Sequence, residues 1–180
     1  SGLAWVHSHG TPSISRTPAQ ITELAKSRKL VMPCDTVSNW ATTILAEHGF
    51  PARRVRTLTR ENWNSYDNSH GMLEVYWKEF GKWVLVDLLA NAYFTAKGRP
   101  LSLAEFSERA RSGRYEIRFL AADARHAVRN FRDVKSGFDY SFLAEMIFAG
   151  EPSLRRWYQR IAQVPLIWDD GRYYYCAPAM

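Results

Sequence analysis

The chain has 180 residues, of which 46% are hydrophobic and 23% are charged, and its formal net charge is +6. This size and composition are typical of one globular domain and exclude disordered and fibrous proteins. The apolar runs are far shorter than the roughly 20 residues that cross a bilayer, which argues against a membrane-spanning segment. The start at Ser1-Gly2 lacks the basic region of a signal peptide, so a cytoplasmic location is the default expectation.

The first part of the chain predicts an irregular arm followed by two helices. Residues 1–18 are rich in Ser, Thr, Gly and Pro and have no hydrophobic period, which is typical of an irregular segment. A short helix is expected over residues 18–29. Apolar residues then recur at intervals of three and four, which predicts a buried helix that begins at Cys34 and ends before Gly49 and Pro51.

The middle of the chain predicts an antiparallel sheet, because apolar and polar residues alternate there. Strands are expected at residues 53–58, 72–77 and 83–89, with residues 78–81 as a hairpin loop. If Trp77 pairs with Lys82, this register fixes which side chains of the two later strands face each other.

The last third of the chain predicts further helices and a hairpin. Ser102 and Glu105 are spaced like a capping box, which favours a helix over residues 102–112. A turn at Asp170-Gly171 favours a terminal hairpin. The other expected elements are a strand at residues 115–120 and helices at residues 138–148 and 152–163. This order of elements predicts an α+β fold in one domain over residues 1–180.

Cys34 is the first candidate for chemistry, since it lies in the first turn of a predicted helix. A thiol attacks as the thiolate, and a helix N-terminus lowers the pKa of a thiol because its unpaired N–H groups and its dipole favour negative charge. The same N–H groups can bind the oxyanion that forms when a carbonyl is attacked. The alternative interpretation is a small apolar residue in the core.

His70 and Asp87 are the second and third candidates. In the register that pairs Trp77 with Lys82, Asp87 faces Met72, and His70 lies one diagonal step away on the same face of the sheet. Asp87 is placed among apolar neighbours, where a charge needs a partner. A carboxylate beside a histidine selects its tautomer and stabilises the imidazolium that forms after proton transfer. Either residue alone could equally be an ordinary turn aspartate or loop histidine.

Three blocks of this sequence resemble the transglutaminase-like superfamily of papain-like thiol enzymes. LAEHGFPAR at residues 45–53 follows the Cys34 helix, as the family's L-x-x-x-G-I-P-A-R does. HGMLEVY at residues 70–76 is similar to H-x-W-x-E-V-Y, and WVLVD at residues 83–87 is similar to W-V-x-x-D. The order Cys, His, Asp is also that of the family. The departures are Met72 in place of Trp, Pro33 in place of Gly, and Leu88-Leu89 in place of Pro-Thr.

The resemblance implies a papain-like core, with a catalytic cysteine at the N-terminus of a buried helix that packs on an antiparallel sheet. It implies that Cys34 is the nucleophile, His70 the base and Asp87 the orienting residue, in a catalytic core over residues 19–95. Residues 96–180 would add helices and the hairpin. The substrate would carry an amide or a thioester, and the acyl group would pass through a thioester on the enzyme without a metal or other cofactor.

The sequence leaves several questions open. The acyl group could pass to an amine or to water, and alternatives are a cysteine peptidase and a binding module without catalysis. The resemblance implies a second oxyanion donor besides the Cys34 amide, which either Trp5 or Gln20 could supply. His7 and His9 lie two residues apart without an acidic or cysteine partner nearby, so a metal site is not expected there. Cys176 is interpreted as structural, because no helix begins after it.

The excess of basic residues suggests an acidic partner, since four arginines lie close together at Arg53, Arg54, Arg56 and Arg60. An acidic protein, an acidic peptide or a phosphorylated sugar would each fit such a surface. The alternative is a basic face exposed to water. No nucleic-acid-binding motif accompanies these arginines, so neither nucleic acid nor a membrane is expected as a partner.

Overall fold

A computed structural model describes residues 3, 7–9, 15–64, 68–120 and 150–177 of the chain. The helices of this part are α1 (Pro18–Ala25), α2 (Cys34–Glu47), α3 (Leu103–Ala110) and α4 (Glu151–Ile161). Its strands are β1 (His7–His9), β2 (Leu30–Met32), β3 (Ala52–Leu58), β4 (Ser69–Trp77), β5 (Lys82–Asp87), β6 (Ala92–Ala96), β7 (Arg99–Pro100), β8 (Glu116–Phe119), β9 (Val164–Asp169) and β10 (Arg172–Tyr175). The protein is therefore of the α+β class.

Eight of these strands form one antiparallel sheet in the order β10-β9-β3-β4-β5-β6-β7, with β8 paired to β6. The register predicted for β4 and β5 is confirmed, since Trp77 pairs with Lys82 and Leu73 pairs with Val86. The terminal hairpin is also confirmed. Its turn at Asp170-Gly171 has φ angles of 41° and 81°, and a turn with φ > 0 at both central residues favours the right-handed twist of a hairpin.

Helices pack on both faces of the sheet, because successive residues of β4 enter different cores. Met72 belongs to a core with α3 and α4, whereas Leu73 belongs to a core with α1 and α2. Glu74 is fully buried on the Met72 face, where its carboxylate accepts from the backbone N–H of Leu103 and pairs with Arg53. The Glu of the strand motif therefore anchors the first turn of α3.

The helix ends marked by a capping box or a glycine agree with the structure, whereas the helix expected over residues 18–29 ends at Ala25. Helix α3 begins with the expected capping box of Ser102 and Glu105. Helix α2 ends at Glu47, and the φ of 77° at Gly49 allows the N–H of Phe50 to reach the carbonyl of Leu45 at 2.8 Å. The helix predicted at residues 138–148 lies outside the described residues.

Other sequence predictions were wrong. His7–His9, expected in an irregular arm, form a strand parallel to Leu30–Met32, and no local pattern announces a pairing between segments so far apart. The strand expected at residues 83–89 ends at Asp87, because the carboxylate of Asp87 accepts from the next turn and stops the ladder. Strands β6 and β7 were not predicted, although the positive φ angles of Lys97 and Gly98 mark a tight hairpin turn between them.

Candidate active site

Cys34 is the first residue of α2, as predicted. Pro33 precedes it in an extended conformation, and the first hydrogen bond of the helical ladder runs from the N–H of Val37 to the carbonyl of Pro33 at 3.1 Å. The N–H groups of Cys34 and the next two residues therefore precede the helical ladder. The helix dipole also places partial positive charge at this end.

Gly71 lets the start of α2 approach strand β4 closely. A Cβ atom at this position would lie 2.5 Å from Oδ1 of Asp35, closer than real Cβ atoms come, and 3.1 Å from the carbonyl carbon of Cys34, which is an unusually tight contact. The N–H of Gly71 donates to Sγ of Cys34 at 3.3 Å. Because Gly71 has no side chain, Cys34 at the start of α2 can lie close to His70, although α2 packs on one face of the sheet and the His70 side chain lies on the other.

His70 and Asp87 form the buried pair that the register predicted. Nε2 of His70 lies 2.9 Å from Oδ2 of Asp87, and the two side chains are 2% and 0% exposed. Oδ1 of Asp87 accepts from the N–H groups of Leu89 at 2.8 Å and Ala90 at 3.3 Å. Since Nε2 is engaged by the carboxylate, Nδ1 is the ring nitrogen that remains for the hydrogen bond to Cys34.

Helix α4 closes the pair from the side away from α2. The hydroxyl of Tyr158 donates to Oδ2 of Asp87 at 2.6 Å, and this side chain is fully buried. The ring of Trp157 lies against the imidazole of His70, with centroids 4.9 Å apart. Water is therefore kept from the imidazole and the carboxylate.

These contacts shift the pKa values of the three groups in the directions a thiolate–imidazolium pair requires. Burial raises the pKa of Cys34, but the hydrogen bond and charge of His70, the Gly71 amide and the charge of Arg56 outweigh it, so the net pKa is lowered. Burial lowers the pKa of His70, but Asp87 and then Cys34 raise it to about 10. Burial likewise opposes ionisation of Asp87, but His70, Tyr158 and the Ala90 amide leave its pKa lowered.

An ion pair lies beside the thiol. Arg56 of β3 pairs with Asp35, which follows Cys34 in α2, and both side chains are about 30% exposed. The pair ties the start of the helix to the sheet. Because Arg56 is cationic, it also favours the thiolate, although as the smallest of the causes that lower the Cys34 pKa.

The space next to Cys34 is narrow and apolar. A cavity of about 10 Å³ is lined by Cys34 and by Met72, Leu88 and Leu89, among others. Met72, Leu88 and Leu89 are positions at which the sequence departs from the transglutaminase-like pattern. A groove of about 670 Å³ has Leu88 in its wall too, but its lining does not include the thiol.

Comparison of the chain with protein-family models, with curated proteins and with solved structures finds no match in any of the three. The resemblance to the transglutaminase-like superfamily therefore rests on the residues quoted above and stays an expectation. Within the described residues, no three His, Cys, Asp or Glu side chains converge as metal ligands. No helix there is long and apolar enough to cross a membrane.

Two other residues that the sequence singled out, Gln20 and Cys176, have contacts elsewhere in the fold. Gln20 belongs to the capping box of α1, where its Oε1 accepts from the N–H of Thr17, and Trp5 lies outside the described residues. Cys176 packs against the core with α3 and α4, and burial raises its pKa.

The clustered arginines are largely engaged within the chain. Arg53 pairs with Glu74, and Arg56 pairs with Asp35. The guanidinium of Arg54 lies over the ring of Trp168, 4.3 Å from its centroid. The sequence suggested an unpaired basic surface, but carboxylates balance two of the positive charges in this cluster.

Sequence reasoning missed Gly71 and Tyr158, and each carried a partial signal. A glycine inside a strand pattern indicates a close approach of another backbone. Tyr158 shares an apolar helix face with Leu154 and Ile161, and a buried tyrosine hydroxyl needs a partner. That its partner would be Asp87, 71 residues earlier, has no local signal.

Proposed function

We propose that this protein is a papain-like thiol enzyme of the transglutaminase-like kind, which transfers or hydrolyses acyl groups through a thioester on Cys34. The observation that supports this most directly is the chain of contacts from Cys34 through His70 to Asp87, with the thiol pKa lowered and the imidazole pKa raised. A thiol that served only to fill space would gain nothing from a buried, charged neighbour.

The proposed reaction has two halves. In the first, the Cys34 thiolate attacks the carbonyl carbon of an amide or thioester and forms a C–S bond. The His70 imidazolium gives its proton to the leaving amine or thiol as the bond to the carbonyl breaks. In the second half, His70 takes a proton from the incoming amine or water, which attacks the thioester and restores the thiolate.

The start of α2 is suited to the oxyanion of both tetrahedral intermediates. The N–H of Cys34 precedes the helical ladder, and the dipole of α2 adds partial positive charge at the same place. Asp87 holds the His70 ring throughout and stabilises its charge whenever the ring is protonated, since the carboxylate has four hydrogen bonds and a lowered pKa.

The cavity beside Cys34 suggests a slender acyl group. On the side lined by Met72, Leu88 and Leu89 the space beside the sulfur is small, so we propose a donor whose carbonyl is reached by an unbranched chain. The acceptor, an amine or water, decides between a transferase and an amidohydrolase or peptidase.

That the acyl donor is acidic, or is carried by an acidic molecule, stays a prediction. The most informative position is Arg54, because the carboxylate pairs of Arg53 and Arg56 already balance those charges. Arg54→Glu should lower kcat/KM and its salt sensitivity if an acidic substrate docks there, since charge steering is screened beyond about 8 Å at physiological salt. Arg99→Glu, in the edge strand β7 that lies four strands from β3, is the matched control. Equal efficiency of both variants at every salt concentration would contradict docking at Arg54.

Trapping of the acyl-enzyme tests the proposed function. The protein is mixed with p-nitrophenyl acetate, an activated donor with a small acyl group, and quenched in acid for intact-mass and peptide analysis. We expect one acetyl adduct on Cys34, its loss on standing in water or faster loss with an added amine, and the same adduct in Cys176→Ala. An adduct that persists in Cys34→Ala, or that forms equally on both cysteines, would contradict the proposal.

A further inference from the structure

Tyr158 makes a contact that the proposed reaction does not itself require. Its hydroxyl donates to Oδ2 of Asp87 at 2.6 Å, and this is the oxygen that also faces Nε2 of His70 at 2.9 Å. All three side chains are buried. The carboxylate oxygen that contacts the imidazole is therefore held from a second side by a phenol on another helix.

We propose that Tyr158 is a positioning residue, which acts through Asp87 to keep His70 protonated and Cys34 in its thiolate form. The inference rests on the proposed function, because it assigns a role within the same site. Tyr158 touches neither the thiol nor a substrate in this proposal; its effect passes through the carboxylate alone.

The hydrogen bonds of Asp87 explain why a second donor matters. Oδ1 accepts from the backbone of Leu89 and Ala90, which fixes one end of the carboxylate. Oδ2 has two side-chain partners, His70 and Tyr158. His70 gains and loses its proton at Nδ1 during each turnover, so its charge changes while Nε2 keeps its contact with Oδ2. The phenol donates to the same oxygen without any change of charge. Hydrogen bonds to a charged acceptor are among the stronger ones in proteins.

Packing holds the phenol in place. The ring of Tyr158 makes edge-to-face contacts with Phe94 and Phe106, with centroids 5.0 Å and 5.5 Å apart. Tyr115 packs against the same two rings. The hydroxyl of Tyr158 is thus aimed by a rigid aromatic cluster that joins α3, α4 and β6.

The charged and titratable groups around the site do not offer another explanation for this contact. Asp35 from α2 and Arg56 from β3 pair with each other beside the thiol. Burial and then Asp87 raise the pKa of Tyr158 well above its ordinary value, and Tyr115 has only a smaller effect in the same direction. The phenol of Tyr158 therefore stays protonated, and remains a donor, over the whole range in which His70 and Cys34 exchange a proton.

The test compares Tyr158→Phe with Tyr115→Phe. Both changes remove a hydroxyl from the same aromatic cluster, and the hydroxyl of Tyr115 has no hydrogen-bond partner among the described residues. The rate of Cys34 alkylation by iodoacetamide is measured from pH 5 to 10, with peptide mapping to separate Cys34 from Cys176. This readout needs no substrate, and it reports the apparent pKa of the Cys34 thiol.

We expect Tyr158→Phe to raise the apparent pKa of Cys34 by about one unit, a roughly tenfold loss of thiolate on the acid side of the profile. Asp87 loses a donor that lowers its pKa, and a less fully ionised carboxylate stabilises the imidazolium of His70 less. Tyr115→Phe should leave the profile unchanged. In an Asp87→Asn background, Tyr158→Phe should add no further shift, because its effect passes through the carboxylate.

The outcomes separate the inference from the proposed function. A lowered apparent pKa in the unchanged protein, with the same profile in Tyr158→Phe, would overturn the positioning role while leaving the thiol enzyme intact. A lower melting temperature of Tyr158→Phe without a shifted profile would mean that the hydroxyl serves stability alone, and it would overturn the inference too. An apparent pKa near 8.5 in the unchanged protein would contradict the proposed function itself.

Discussion

The two cysteines of this protein are both partly exposed, yet their thiol pKa values shift in opposite directions. The pKa of Cys34 is lowered and that of Cys176 is raised. Cys34 begins a helix and meets His70, whereas Cys176 follows a strand, and after burial its largest influence is the negative charge of Glu74. The comparison teaches that the neighbours of a thiol, rather than its class of exposure, set the direction in which its pKa shifts.

Removing each thiol in turn should produce the largest difference in kcat between two variants. Cys34→Ala should lower kcat on any validated substrate by about a million-fold, the scale on which a nucleophile that acts as part of a unit is lost. Its fold should persist, because one small side chain at a helix start contributes little packing. Cys176→Ala is the matched control and should keep its turnover. Steady-state kinetics and circular dichroism check both, and measurable turnover by Cys34→Ala would contradict the assignment.

Asp87→Asn should reduce the difference in reactivity between Cys34 and Cys176 without removing either thiol. The amide fills the same space, but it favours the wrong tautomer of His70 and cannot stabilise the imidazolium. We expect a loss in kcat of about ten-thousand-fold, the scale known for the equivalent change in a serine protease triad. Stopped-flow or end-point kinetics of the purified variant would measure it. A rate equal to that of the unchanged protein would mean that another group orients His70.

Gly71→Ala should disturb the site through geometry rather than through charge. The new Cβ would meet Asp35 and the backbone of Cys34 at 3.1 Å or less, so the start of α2 must move away from β4. We expect a loss of about 1–3 kcal/mol in the free energy of unfolding, typical of overpacking, and slower alkylation of Cys34. Thermal melting and peptide mapping would follow the two effects. Unchanged alkylation would show that the close approach at Gly71 is not needed for an activated thiol.

The stability of the fold should depend on pH in a way that identifies the thiolate–imidazolium pair. The folded pKa of His70 is raised to about 10, so its stabilising contribution is complete below the unfolded value and is lost as pH rises through about 10. The folded pKa of Cys34 is lowered, so its contribution grows as pH rises toward the unfolded value of about 8.5. The two effects offset each other between about pH 6.5 and 8.5, where the folded and unfolded chains bind equal numbers of protons on this pair.

Cys34→Ala should abolish that balance. Without the thiol, the contribution of His70 to stability declines from about pH 6.5 upward, so the variant loses stability over this range. The difference in unfolding free energy, unchanged protein minus variant, should therefore rise by up to about 1.4 kcal/mol per pH unit between about pH 6.5 and 8.5. Other titrating groups cancel in this difference. Denaturant unfolding of the two proteins across this range is the measurement, and a difference that does not vary with pH would mean that no ion pair forms.

Much of the site was predictable because its determinants are local. A Cys before an apolar helical period, and a two-strand register fixed by one hairpin, were enough to bring His70 beside Asp87. What could not be predicted came from distant segments. The parallel pairing of His7–His9 and the hydroxyl of Tyr158 on Asp87 both depend on packing between elements that no local pattern relates.

Competitive alkylation of the unchanged protein tests the central claim most directly. At pH 6.5 a thiol with an ordinary pKa of about 8.5 is only about 1% ionised, so it reacts slowly with iodoacetamide. We predict that Cys34 is alkylated at least about tenfold faster than Cys176 at this pH, even though a thiolate of lower pKa is intrinsically less nucleophilic. His70→Ala should remove the difference. Equal rates for Cys34 and Cys176 in the unchanged protein would contradict the account.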